Sequence, residues 1–304
     1  MNFPYVISQS LIKKFLDKGD ERIICPKNVY YTKMAPEEEI PPTRPMMDGS
    51  YFETLALGSG RGGEKTLDLP RKQLTIKQER ENRIRVEKGL EPILGQKSIA
   101  QIRIEEQAER FKLLCAQYQI VVTEYNTQVP ILKRWEEDEE IMLSGELDIF
   151  PTPILGKFGL NMAIIDLKLT GKINNDFGDF CWGSPEHMDH IQAQMYHYLI
   201  RNIDFSLNKG LKNLVTQPAI NIISGNAVLF LYWVFSYGSG VLGDKFVRYD
   251  MNHLKFAEMH ESIRKTVAAI EKYEEEGWPA DPEYERCAGC PLTNCAERCD
   301  IQAL

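Results

Sequence analysis

The segment from residue 119 to residue 170 constrains the fold most. It holds three runs rich in β-branched and aromatic residues, separated by acidic or turn-forming residues: QIVVTEYNTQVPILKRW, IMLSGELDIFP and NMAIIDLKLTG. Runs of this kind predict strands. The stretch SPEHMDHIQAQMYHYLIRN follows and predicts a helix, because Ser184 can cap it and Pro185 suits its first turn. Further strand-like runs come at 218–224, 227–237 and 245–250, so the order of elements predicts an α/β fold with a mixed central sheet.

Helically spaced apolar residues predict helices on both sides of this segment. These helices are expected near residues 8–18, from 48 onward, and near 72–89, 97–117 and 253–276. We therefore expect one domain over residues 1–304, in which helices flank the sheet and residues 59–118 form a helical insert.

The composition is typical of a soluble globular protein, with 43% hydrophobic and 26% charged residues. No apolar run reaches the length of a membrane span, and the first residues lack the order of a secretion signal. These features predict a cytoplasmic protein of a bacterial, archaeal or phage-infected cell. Thiols stay reduced in the cytoplasm, so clustered cysteines there indicate a metal site more than a disulfide framework.

Two aspartates and a lysine stand on neighbouring predicted strands. Asp166 and Lys168 share one face, because side chains alternate along a strand. Asp148 comes beside Asp166 if the two strands pair antiparallel. Adjacent carboxylates repel unless a cation lies between them, and oxygen ligands favour Mg²⁺ or Mn²⁺. A lysine beside such an ion can orient a water or stabilise charge on a phosphate. The alternative is that the aspartates are strand-end caps and Lys168 is a solvated edge lysine.

A wider set of motifs resembles the RecB-like branch of the PD-(D/E)XK nucleases. The set consists of GELD at 145–148, IIDLK at 164–168 and QMYHY at 194–198. The resemblance implies a restriction-endonuclease-like core and a catalytic site of Asp148, Asp166 and Lys168, in which Lys168 positions or activates the attacking water. It also implies that Asp148, Asp166 and the backbone carbonyl of Leu167 hold the metal. Gln194 and Tyr198 are four residues apart on one helix face, and the resemblance implies that they support the site and the DNA.

The first motif of that family is usually G-x-x-x-H, and GSYFE at 49–53 stands in its place. Glu53 replaces the histidine, which is a departure from the family pattern. A glutamate is nevertheless an acceptable ligand for a hard metal, so Glu53 is expected to complete the metal shell.

Four of the seven cysteines lie in the segment 286–300, as Cys287, Cys290, Cys295 and Cys299. Thiolates at such spacings suit both zinc and iron–sulfur clusters. A zinc site built from these four would leave Cys25 unexplained, and free or disulfide-bonded cysteines are a third alternative.

An iron–sulfur branch of the RecB-like family offers a reading that includes Cys25. CRISPR-associated adaptation nucleases and the nuclease parts of some recombination helicases carry a [4Fe–4S] cluster with one ligand before the core and three after it. The resemblance implies that Cys25, Cys287, Cys290 and Cys295 bind such a cluster, with Cys299 in reserve. The cluster would join the two ends of the chain.

The predicted function is a metal-dependent deoxyribonuclease, acting as an exonuclease on single-stranded or end-containing DNA. The resemblance implies a place in recombination, repair or phage replication, beside a helicase, a recombinase or another replication protein. The net charge is −8, but residues 71–88 hold seven Arg or Lys against three Glu. That stretch is either an ordinary surface helix or an arm that guides DNA. The alternatives are a catalytically silent DNA-binding subunit of the same fold and a zinc-stapled interaction protein.

One more feature of the helix after the third strand has two interpretations. Its polar residues form a stripe at helical spacing, which is either a solvated face or part of a DNA groove: His187, His190, Gln194, His197 and Arg201.

Overall fold

The computed structural model describes residues 5–15, 25–34, 42–58, 69, 74–92, 94–154, 161–171, 173, 188–212, 228–238, 240, 242–280, 287, 290 and 295. The predicted strand at 218–224 lies outside these residues, as do His187 and Cys299.

Six described strands form one mixed sheet. They are β1 (Tyr5–Ser8), β2 (Thr127–Arg134), β3 (Ile141–Ile154), β4 (Asn161–Thr170), β5 (Val228–Ser236) and β6 (Gly243–Tyr249). The order is β1-β3-β4-β5-β6, and β2 also pairs with β3. The pairs β2–β3, β3–β4 and β5–β6 are antiparallel, whereas β1–β3 and β4–β5 are parallel. The predicted α/β class with a mixed central sheet is therefore confirmed.

The described helices are α1 (Gln9–Phe15), α2 (Pro26–Val29), α3 (Arg44–Leu57), α4 (Ile76–Glu87), α5 (Ile99–Tyr118), α6 (His190–Ile200), α7 (Lys209–Lys212) and α8 (His253–Glu276). A π-helical turn, Tyr30–Met34, follows α2. None of the described helices combines the length and the apolar character needed to cross a membrane.

Helices cover both faces of the sheet, and alternation along β4 assigns one side chain to each face. Ile164 belongs to a core that also contains residues of α1, α6 and α8. Ile165 belongs to a second core, built with α3 and α5. Strand β5 is buried on both faces, which explains its nearly continuous apolar sequence VLFLYWVFS.

The predicted insert 59–118 contains α4 and α5, which differ in their packing. The buried face of α5 includes Ile104 and Phe111 and covers the sheet in the second core. Helix α4 has no buried residue and begins with a capping box between Thr75 and Gln78. The basic stretch of the sequence therefore forms an exposed helix where it is described.

Helix α6 approaches β3 closely at Gly145. A Cβ atom at this position would lie 2.6 Å from Leu199 Cδ1 and 3.0 Å from Tyr196 Cε1. Glycine is therefore what lets α6 pack directly on the sheet at this point.

Candidate active site

The candidate site lies where β3 and β4 separate. Their ladder runs from Ile154↔Asn161 to Ile149↔Ile165. Strand β2 occupies one edge of β3 over this region, so β4 and β1 share the other edge. Strand β1 pairs with β3 only at residues 141–144, which leaves residues 145–148 at the junction.

Asp148 holds the two strands together at this junction. Its Oδ2 accepts a hydrogen bond of 2.7 Å from the backbone N–H of Leu167 on β4. The carboxylate therefore lies beside Asp166, the neighbour of Leu167 in sequence. Both aspartates are 1% exposed. The predicted antiparallel pairing of these two strands is confirmed.

Asp166 has two further partners, and one of them comes from α6. Lys168 Nζ lies 2.5 Å from Asp166 Oδ2. Gln192 Nε2 donates to Asp166 Oδ1 at 2.8 Å and approaches the Tyr196 hydroxyl at 3.3 Å. The carboxylate of Asp166 is thus oriented by a lysine of its own strand and by an amide of the helix above it.

Lys168 is held as a cation by its surroundings. Burial lowers its pKa, but the charges of Asp166, Asp148 and Glu53 together raise the pKa above the ordinary lysine value. Glu53 stands on α3, on the other face of the sheet, and still acts on Lys168. The structure therefore brings the predicted metal and catalytic side chains, Glu53 included, within electrostatic range of one lysine.

A second lysine reaches the same region. Lys13 of α1 forms an ion pair with Asp189, the N-cap residue of α6. Burial lowers the pKa of Lys13 most; the Asp189 charge opposes this effect, Lys168 adds to it and Asp166 opposes it. The sequence interpretation gave Lys13 and Asp189 no role.

The formal charge of the group is unbalanced. Four carboxylates, from Glu53, Asp148, Asp166 and Asp189, face the two ammonium groups of Lys13 and Lys168. The remaining charge of minus two is what one divalent cation would neutralise. Carboxylate oxygens are the ligands that Mg²⁺ and Mn²⁺ prefer, so the donor set suits such an ion.

The structure places Gln194 and Tyr198 away from the aspartates, which corrects the predicted positions. Gln194 Nε2 donates to Glu258 of α8 at 3.1 Å. Tyr198 is fully buried, with its ring against His260 and Lys133 Nζ 4.5 Å from the ring centroid. The reason is rotational, because two residues along a helix turn a side chain by about 200°.

The sequence QAQMYHY contains a second Gln-x-x-x-Tyr spacing, Gln192 and Tyr196, and this pair faces the site. Spacing alone could not choose between the two pairs. The small residues beneath the helix offer a signal, since Gly145 contacts Tyr196 and so marks the face that meets β3.

Both interpretations of the polar stripe on α6 require correction. Gln194 and His197 are buried, and the His197 ring lies 5.7 Å from that of Phe230. Burial lowers the pKa of His197 to about 4. This part of the stripe is neither a solvated face nor an open groove.

The two ends of the chain meet on the other side of α8. Asn28 Nδ2 donates to Cys290 Sγ at 3.0 Å, and Lys27 N donates to the carbonyl oxygen of Pro279 at 3.3 Å. Cys25 is the N-cap residue of the same short helix, α2. Cys290 N donates to the carbonyl oxygen of Cys287, which closes a turn between two of the predicted ligands. The segment of Cys25 thus lies beside the tail cysteines.

Within the described ranges, no three His, Cys, Asp or Glu side chains are arranged as a ready group for a metal ion. The aspartates and the cysteines fit their proposed ligands by chemistry and neighbourhood, and the ligand sets themselves stay predictions.

A comparison with protein-family models finds no match, and no curated protein sequence matches the chain. Among solved structures, a "Putative exonuclease" from Eubacterium rectale is 16% identical, with 86% of this chain and 81% of that chain covered and a TM-score of 0.43. SSO0001 is 12% identical, with 99% and 90% covered and a TM-score of 0.35. At TM-scores below 0.5, neither likeness defines the architecture of this chain.

Proposed function

We propose that this protein is a metal-dependent deoxyribonuclease of the RecB-like PD-(D/E)XK type. The observation that carries the proposal is the convergence of Asp148, Asp166 and Lys168 at the junction of β3 and β4. Two buried carboxylates and a lysine, on an otherwise apolar sheet, are costly to bury unless a cation completes them.

Each side chain has a definite task in this proposal. Asp148, Asp166 and the carbonyl oxygen of Leu167 hold Mg²⁺ or Mn²⁺, and Glu53 completes the shell. When bound, the ion acts as a Lewis acid on a phosphate and lowers the pKa of a bound water. Lys168 orients the attacking water and stabilises charge on the phosphate oxygens. Gln192 fixes the rotation of the Asp166 carboxylate through its 2.8 Å hydrogen bond.

The proposed substrate is single-stranded or end-containing DNA, and the proposed mode of action is exonucleolytic. These choices rest on the sequence resemblance, as do a helicase or recombinase partner and a role in recombination, repair or phage replication. A [4Fe–4S] cluster bound by Cys25, Cys287, Cys290 and Cys295 is proposed on the same resemblance, and the contact between Asn28 and Cys290 supports it.

The test is cleavage of labelled linear single-stranded, linear duplex and covalently closed circular DNA with Mg²⁺, Mn²⁺ or EDTA. We expect metal-dependent cleavage of the linear forms by the wild type. Asp166→Asn and Lys168→Gln should each lower the rate about 100-fold or more. Asp250→Asn is the matched control, because Asp250 is an exposed acid paired with Arg248.

Two outcomes would contradict the proposal. One is an absence of metal-dependent cleavage of every form by folded wild-type protein, which would favour the silent DNA-binding subunit if DNA is still bound. The other is cleavage that survives in Asp166→Asn at the level of Asp250→Asn.

A further inference from the structure

Lys13 reaches the candidate site from an element that none of the motifs includes. Strand β1 pairs with β3 up to Ser8↔Ser144, and α1 begins at the next residue. Helix α1 therefore starts beside the junction where β4 leaves β3. The Lys13 side chain extends from this helix to Asp189 at the start of α6.

The partner of Lys13 is fixed on two sides. Asp189 Oδ1 accepts a hydrogen bond of 3.0 Å from Gln192 N. The backbone carbonyl oxygen of Asp189 accepts one of 2.5 Å from the Tyr232 hydroxyl. Lys13 is thus held by a carboxylate whose own position is set by both α6 and β5.

Tyr232 connects the two lysines. Its ring lies beneath Lys168, with Nζ 5.6 Å from the ring centroid, and its hydroxyl binds the peptide that carries Asp189. The side chains of Lys13 and Lys168 are 29% and 25% exposed. Both ammonium groups therefore lie at the mouth of the site, each beside its own carboxylate.

Placing two ammonium groups close together in a partly buried site is unfavourable, and each acts on the titration of the other's surroundings. An anion that contacts both would remove this repulsion. A phosphate offers several oxygens for such a contact, and lysine is a common phosphate ligand.

We propose that Lys13 and Lys168 form a two-cation site for a phosphate of the bound DNA strand. In this site Asp189 holds Lys13 in place and keeps it from pairing with Asp166. The inference deepens the proposed nuclease function and rests on it.

The experiment measures the affinity of a labelled oligothymidine single strand in Ca²⁺ over a series of salt concentrations. Lys13→Gln should weaken binding about tenfold at low salt and reduce the slope of log K against log salt by about 0.7, the value for one phosphate contact on a single strand. Lys13→Arg should keep most of the affinity. Lys14→Gln removes a charge from the same helix and is expected to leave the slope close to that of the wild type.

Asp189→Asn separates phosphate binding from a purely structural ion pair. If Lys13 binds phosphate, this variant should bind DNA at least as tightly as the wild type, because the competing carboxylate is gone. Equal weakening by Lys13→Gln and Asp189→Asn would overturn the inference, as would a slope in Lys13→Gln equal to that in Lys14→Gln. If wild-type cleavage depends on Asp166 while Lys13→Gln binds normally, the inference alone fails. If the wild type neither binds nor cleaves DNA, the proposed function fails with it.

Discussion

The orientation of one carboxylate is central at the scale of single residues. Asp166 is buried and is contacted by Lys168 and by Gln192. The lysine belongs to the same strand and follows from alternation, whereas the amide comes from a helix 26 residues further along the chain. Neutral amides such as Gln192 fix direction without adding charge, so they affect how a carboxylate presents its oxygens to a metal.

A first prediction compares the two glutamines of α6. Gln192→Ala removes the hydrogen bond to Asp166 and should lower the cleavage rate about tenfold and weaken Mn²⁺ binding. Gln194→Ala removes a contact to Glu258 on the other side of the helix and should change both much less. Cleavage rates and Mn²⁺ titration calorimetry measure the difference. A larger loss in Gln194→Ala would restore the spacing that the sequence first suggested.

A second prediction concerns His197 and the pH dependence of stability. Burial lowers its pKa to about 4 in the folded protein, below the ordinary value of 6.5. Between these values the unfolded chain binds a proton that the folded chain does not, so the free energy of unfolding should fall as the pH is lowered from about 6.5 to 4. The loss from this group should be on the order of 3 kcal/mol.

The measurement is denaturant unfolding at several pH values. His197→Gln should flatten the acid side of the curve, and the exposed His253→Gln should leave its shape unchanged. Parallel curves for the two variants would mean that His197 is protonated equally in both states.

The scale of elements is governed by how α6 lies on β3. Gly145 permits the approach, and the same approach presents Gln192 to Asp166 while burying Gln194 toward α8. Strand β1 and helix α1 contribute in a similar way, since their place on the edge of β3 directs Lys13 toward the site. Packing between elements therefore decides the composition of the site.

A third prediction follows from that contact. Gly145→Ala would place its Cβ 2.6 Å from Leu199 Cδ1, so α6 must shift. We expect the free energy of unfolding to fall by about 1–3 kcal/mol and cleavage to decline with it. Gly210→Ala is the control, because no atom lies within 4 Å of its Cβ and alanine favours the helix. Equal stability of the two variants would show that the contact relaxes without cost.

At the scale of the whole molecule, the two ends of the chain are joined across the domain. The ring of Tyr30 lies 5.4 Å from that of Trp278, and the Asn28 amide contacts Cys290. Contacts between residues so distant in sequence carry a large loop-closure cost, and a covalent or metal link there would restrict the unfolded chain most.

A fourth prediction tests that link. Protein purified without oxygen should show a broad absorption band near 400 nm and contain about four irons per chain, as a cubane cluster requires. Cys290→Ser should lose the band and lower the melting temperature, whereas Cys115→Ser, at a cysteine buried in the second core, should keep the band. A colourless protein with one zinc would instead favour the zinc-stapled interpretation.

The sequence by itself determined the features that depend on local periodicity. Alternation put Asp166 and Lys168 on one face, the β-rich runs and intervening helix gave the α/β class, and apolar spacing predicted α8 near its observed bounds. These features follow from the backbone geometry of one element, which neighbouring residues specify.

The tertiary structure alone decided which faces meet. It selected Gln192 over Gln194, brought Lys13 and Asp189 to the aspartates, and placed β1 on the edge of β3. The physical reason is that the rotation of a helix on a sheet depends on packing between residues far apart in the chain, such as Gly145 and Leu199, which no local period records.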